Sequence, residues 1–225
     1  KAAKIAVGDV TPNNNTFGQT GTFKFDLTAT NFPIDEGDSE IEDTAGAVTL
    51  EKIVKAGTAT DVKDTFDTFS GVALTANGTG VEQTITMKGD TDAGDYVATV
   101  KANGITQTVE FTVNKAEISS LTVTANEAVA PEYGKYFAEA KADTITVDGA
   151  KVVKVEWKKG EISLNDTTVV GAGDFKLILT VEPDDNHTFA DGLASGTGQV
   201  GSQNPAVATS DGVTTITYTF TGITA

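Results

Sequence analysis

Apolar residues in this chain recur at every second position far more often than at every third or fourth, and that spacing limits what it can fold into. Successive side chains of a strand point to opposite faces, so a period of two commits the chain to sheets with one packed face and one wet face. In Thr22-Phe23-Lys24-Phe25-Asp26-Leu27-Thr28, the residues Phe23, Phe25 and Leu27 share a face. Val81, Ile85 and Met87 do the same between residues 81 and 87, and Val109, Phe111 and Val113 between residues 106 and 113. Asn103-Gly104 separates that last segment from Tyr96-Val97-Ala98-Thr99-Val100. Both residues tolerate positive φ, which suits a tight hairpin.

The second half keeps the period but changes the spacing. Thr144-Ile145-Thr146-Val147 runs into an Asp148-Gly149 turn, and Lys151 to Trp157 places Val153, Val155 and Trp157 at one parity, which predicts Trp157 in the core. Phe175, Leu177, Leu179 and Val181 form the most regular apolar stripe. Asp211-Gly212 is predicted to turn Ala206-Val207-Ala208-Thr209 into a final strand with Ile216, Tyr218 and Phe220 inward. Pairing that strand with Phe175–Val181 requires a long Gly- and Ser-rich excursion through Gly192 to Asn204, predicted to be the mobile loop.

A chain of 225 residues exceeds one ordinary domain. The alternating strand that ends at Val113 gives way to a new segment at Ile118, so the boundary is expected near residue 116, with domains 1–116 and 117–225. No Gly, Ser or Pro run lies between them, which predicts two modules joined end to end with limited freedom.

Composition removes several functions. The formal charge is −16 and all 16 basic residues are Lys, so the chain lacks the guanidinium fork and repels polyanions. Nucleic acid and anionic membrane surfaces are therefore not expected partners. No apolar run approaches the length of a membrane helix. The absence of Cys removes disulfides, thiol nucleophiles and thiolate metal sites together.

The segment Gly89-Asp90-Thr91-Asp92-Ala93-Gly94-Asp95-Tyr96 admits two interpretations. Its D-x-G-x-Y pattern, at Asp92, Gly94 and Tyr96, resembles the corner that immunoglobulin-like domains place before their next-to-last strand. There the Tyr hydroxyl bonds upstream backbone and Gly permits the turn. Roughly seven strand candidates before residue 116 match the number such a sandwich requires. A near copy, Gly171-Ala172-Gly173-Asp174-Phe175, keeps the second Gly and the ring but has no hydroxyl. Phe175 to Gly192, with Val152 to Trp157 upstream, is similar to repeats of bacterial cell-surface proteins, and Ala93 to Glu117 resembles the closing strands of bacterial immunoglobulin-like repeats. The resemblance implies an all-β chain of two tandem immunoglobulin-like β-sandwich domains. It further implies an exported, extracellular or cell-surface setting and a non-enzymatic stalk, adhesin or surface-layer role. The implied partners are neighbouring modules of the same chain and a cell-wall, host or surface-layer protein.

The alternative interpretation of the corner is a calcium loop, with Asp90, Asp92 and Asp95 as candidate ligands. An EF-hand is excluded, because counting from Asp90 puts Asp95 where Gly is needed and Lys101 where a bidentate acid is needed. The acids Asp35, Glu36, Asp38, Glu40, Glu42 and Asp43 offer further hard oxygens. His187, the one imidazole, sits in a polar turn without a nucleophile motif and is expected at the surface. An internal isopeptide bond from Lys4 or Lys24 to Asn114 would need a buried acid beside it. Asn14, Asn77, Asn165 and Asn186 match the glycosylation sequon. The rival function is a secreted carbohydrate-binding or enzyme-accessory module, which calls for a platform of exposed rings from Tyr133, Tyr136 and Trp157.

Overall fold

The computed structural model describes residues 1–125 and 129–225 and is all-β. The chain divides into two compact units, Lys1–Ala116 and Glu117–Ala225.

In the first unit the alternating stripes build two separate sheets. One holds β1 (Lys4–Val7), β2 (Thr11–Asn13), β3 (Thr22–Thr30), β5 (Phe66–Phe69) and β6 (Gly80–Met87), in the order β1-β3-β6-β5 with β2 also on β3. The other holds β4 (Thr49–Lys55), β7 (Gly94–Ala102) and β8 (Ile105–Val113), in that order. A single helical turn, α1 (Asp43–Gly46), precedes β4. Phe23, Phe25, Leu27 and Ala29 of β3 are buried with Ile85 and Met87 of β6, Ile53 of β4, and Tyr96, Ala98, Val109 and Phe111 of the other sheet. Phe66 stands edge-on to both Tyr96 and Phe111, at 5.3 and 5.7 Å between centroids. The Asn103-Gly104 hairpin forms with both residues at positive φ, 47° and 72°, as its two-residue length requires.

Gln83 shares the inward face of Val81, Ile85 and Met87 and is completely buried. Its side-chain amide acts as a piece of strand where β5 has ended: Oε1 accepts from the Val72 N–H at 2.9 Å, and Nε2 donates to the Val72 carbonyl at 2.7 Å. A buried amide with both ends paired is tolerated in a core, whereas unpaired partners are not.

The second unit is built differently. One nearly closed, eight-stranded sheet contains β10 (Leu121–Ala125), β11 (Ile145–Val147), β12 (Ala150–Lys159), β13 (Ile162–Leu164), β14 (Gly173–Pro183), β16 (Gly196–Thr197), β17 (Ala206–Ser210) and β18 (Val213–Ile223). Its order is β16-β10-β11-β12-β14-β18-β17, with β13 on β12. A two-stranded ribbon of β9 (Ala116–Ile118) and β15 (His187–Phe189) is separate. Leu177, Leu179, Ile216 and Tyr218 are fully buried, and Trp157 packs between Phe137 and Phe220. Asp211 and Gly212 both take positive φ and turn β17 into β18.

Two expectations for this unit need correction. Val153 and Val155 do not join Trp157 in the core, being 50% and 39% exposed. A bulge between Val152 and Lys154 leaves Val153 without a partner on β14 and brings Val152 opposite Val181. Val155 keeps the parity of Trp157 but lies open at the rim of a cleft. The segment from Gly192 to Asn204 is tied down rather than loose. Leu193 and Val200 are buried, β16 pairs in parallel with β10, and a Cβ on Gly198 would collide with the Val123 carbonyl.

Replacing Gln83 by Leu strands the Val72 N–H and carbonyl and should lower the stability of the first unit by about 2 kcal/mol. Denaturation followed by circular dichroism should show the earlier transition, while the fluorescence of Trp157, which reports the second unit, keeps its midpoint. An unchanged first transition would contradict the role given to the amide.

Candidate functional site

The segment 89–96 was the strongest chemical candidate, and its geometry is that of a corner. Tyr96 is buried, and its hydroxyl donates to the Asp92 carbonyl at 2.7 Å. Gly94 takes φ +147°, with the Lys55 side chain lying where a Cβ would project. Thr91 is wholly buried and holds the preceding turn, its hydroxyl donating to the Thr65 carbonyl at 2.9 Å and accepting from the Lys88 N–H at 3.1 Å.

The carboxylates of Asp90, Asp92 and Asp95 are all exposed. Asp95 accepts the Thr112 hydroxyl at 2.6 Å, which ties the corner to the last strand of the unit. Among the described residues no group of three or more His, Cys, Asp or Glu side chains is arranged to hold a metal ion, and the acids from Asp35 to Asp43 form no such group either.

The second corner repeats the device with altered parts. Gly173 takes φ +128° beneath the Lys159 side chain, whose Nζ donates to the Ala172 carbonyl at 2.8 Å and lies 5.3 Å from the centre of the buried Phe175 ring. Asp174 accepts from the Gly222 N–H of β18 at 2.8 Å. Both corners thus keep an Asp after the glycine and use it to hold the final strand. The sequence contained this signal, since Asp95 and Asp174 occupy equivalent places in the two copies.

His187 is partly buried rather than fully exposed. Its side chain is only 20% exposed, packs on Gly149, and places Nδ1 2.7 Å from Asp184 Oδ1. Burial works to raise the Asp184 pKa, but the His187 ring and the Asn186 N–H together hold it below the ordinary carboxylate value. Asp61 is also held low, chiefly by the Lys63 N–H, and its Oδ1 accepts from the Ile53 and Lys63 N–H groups at 3.0 Å each. Both acids brace turns. For the isopeptide idea, Lys24 is committed elsewhere, to Glu82 at 2.7 Å on an exposed face, while Asn114 uses its backbone N–H and carbonyl to pair with Asn15 and Phe17. Of the proposed sugar platform, Trp157 faces the core, whereas Tyr133 and Tyr136 are 49% and 52% exposed.

Comparison with protein-family models, curated proteins and solved structures gives no match for this chain.

Burial pushes both Tyr96 and Tyr218 up to about 12. These folded-state values lie above the unfolded value of about 10, so the fold stabilises the neutral hydroxyls. That stabilisation should be complete below about pH 10 and be lost as the pH rises towards about 12, read as late phenolate absorbance together with falling melting temperature. Ionisation of all four tyrosines in one step near 10 would contradict the buried corner. Because the Asp92 carbonyl and the Asp95 carboxylate already hold protein donors, melting in calcium and in chelator should give the same midpoint. A chelator-induced drop would restore the cation reading.

Proposed function

We propose that the chain is a non-enzymatic structural and adhesive segment of an exported bacterial cell-surface protein, a stalk, adhesin or surface-layer part. One observation carries this reading: the segment entering the first unit pairs in parallel with the segment leaving it. Thr16 and Asn114 form a parallel bridge. The Phe17 N–H donates to the Asn114 carbonyl at 2.9 Å, the Asn114 N–H to the Asn15 carbonyl at 2.6 Å, and the Asn15 side-chain amide to the Thr112 carbonyl at 2.8 Å.

Parallel segments pulled from the start of one and the end of the other slide lengthwise. Their hydrogen bonds are then strained together rather than peeled singly. β1 and β2, laid antiparallel on β3, add shear contacts ahead of this clasp. A unit so tied suits a chain held under tension between neighbouring modules and a wall, host or surface-layer protein.

The strand order supports an immunoglobulin-like assignment for the first unit. β1-β3-β6-β5 against β4-β7-β8 corresponds to the four-plus-three arrangement of a constant-type domain, with Tyr96 at its corner. For the second unit the support is the surface-repeat pattern of residues 175–192 and the corner at Phe175, carried on a single sheet. The extracellular setting rests on the same pattern. A second reading, carbohydrate binding, is favoured by Tyr133 and Tyr136, two exposed rings on one loop.

Pulling the chain by its two ends should give two unfolding events. Asn15→Ala, which removes the amide bond to Thr112, and Phe17→Pro, which removes the donor to Asn114, should each lower the force of one event and leave the other unchanged. Wild-type force in both variants would refute the mechanical role.

A further inference from the structure

We propose that the cleft beside Trp157 in the second unit binds a single neutral sugar residue. The cleft has a volume of about 230 Å³ and is lined by Phe137, Ala138, Ala142, Asp143, Val155, Trp157 and Asp166. That is room for one ring, below the several hundred Å³ of drug-sized sites.

Trp157 is 3% exposed, yet its indole N–H has no hydrogen-bond partner among the described residues. Every buried side-chain nitrogen and oxygen there does have a partner. The indole nitrogen is therefore not sealed, and Trp157 is one of the residues that line this cleft. An unpaired donor on a buried ring that lines a depression asks for an acceptor from outside.

The rim asks for the opposite. The exposed carboxylates of Asp143 and Asp166 accept no hydrogen bond from a described side chain or backbone group, so they call for donors. An anion would satisfy the indole but meet two negative charges. An ammonium would satisfy the carboxylates but present no acceptor to the indole. Hydroxyl groups do both, and the C–H face of a sugar ring matches Phe137, Ala138, Ala142 and the half-open Val155. The required occupant thus combines hydroxyls of both hydrogen-bonding roles with an apolar face.

Two features keep the cleft in shape. The Phe137 and Ala138 N–H groups donate to the Thr168 and Asp166 carbonyls at 3.2 and 3.1 Å, which fixes one wall against the other. Phe137 and Trp157 are in contact at 5.0 Å between centroids. The proposal gives the carbohydrate reading a location and does not rest on the force-bearing role, which its failure would leave intact.

Trp157 is the sole tryptophan, so the chain has a single indole N–H resonance. Glucose, galactose, mannose and N-acetylglucosamine would each be titrated into the full chain, with the diamine putrescine as the cationic comparison. At least one sugar should shift the indole resonance saturably. A variant carrying Asp143→Ala and Asp166→Ala, both at exposed positions, should keep the resting resonance and bind that sugar at least about tenfold more weakly. No response to any sugar would overturn the proposal, as would a response to putrescine alone. Binding lost in Tyr133→Ala or Tyr136→Ala but retained in the double Asp variant would overturn it too, by placing the site on the exposed rings.

Discussion

Closure of the last strand is the constraint on which each unit depends. A terminal strand has no successor to pin it, and the ends of such strands ordinarily fray. Here an Asp placed directly after a corner glycine reaches the end of the final strand. Asp95 accepts from Thr112 on β8, and Asp174 accepts from the Gly222 N–H on β18. Glycine is required because the chain must turn at φ +147° or +128° beneath an overlying lysine, and the aromatic two residues on fills the core below. In the first unit the parallel clasp at Asn15–Phe17 adds a second fastening to the same strand end. Turn, ring and clasp therefore form one device, and the carboxylates that resemble a cation loop are part of it.

This device explains why two units with different sheets share a local signature. The first distributes its strands over two sheets, and the second gathers eight into one that nearly closes. What they share is the passage from glycine corner to penultimate long strand to final strand, which both architectures must secure. The Tyr hydroxyl is dispensable in that passage. In the second unit Lys159 stands over the ring of Phe175 and bonds the Ala172 carbonyl, fixing the corner from outside instead of from below.

The alternation of apolar residues made most strands legible, because burial on one face imposes a strict period. Phe23 to Leu27, Phe175 to Val181 and Ile216 to Phe220 fall inward as their spacing requires. The same rule misplaced Val153, because one bulged residue breaks parity without leaving a composition signal. It also passed over Gln83, whose amide replaces strand bonds that only the folded chain creates. The Gly-rich run from Gly192 to Asn204 suggested looseness, yet Gly198 and Gly201 are needed where backbone approaches backbone. His187 illustrates the remaining limit: its partner Asp184 was close in sequence, but its covering by Gly149 depends on tertiary packing. The Trp157 cleft was illegible for a similar reason, since parity placed the ring in the core without indicating that a cleft would form beside it.

The most direct measurement of the central claim is native-state hydrogen exchange at the strand ends. If the corner and clasp close each unit, the amides of Phe17, Asn114 and Gly222 should exchange only through global unfolding of their own unit, as slowly as the amides at the centres of β7 and β14. Exchange of these three at the rate of freely fraying ends, with the central amides still protected, would contradict the account.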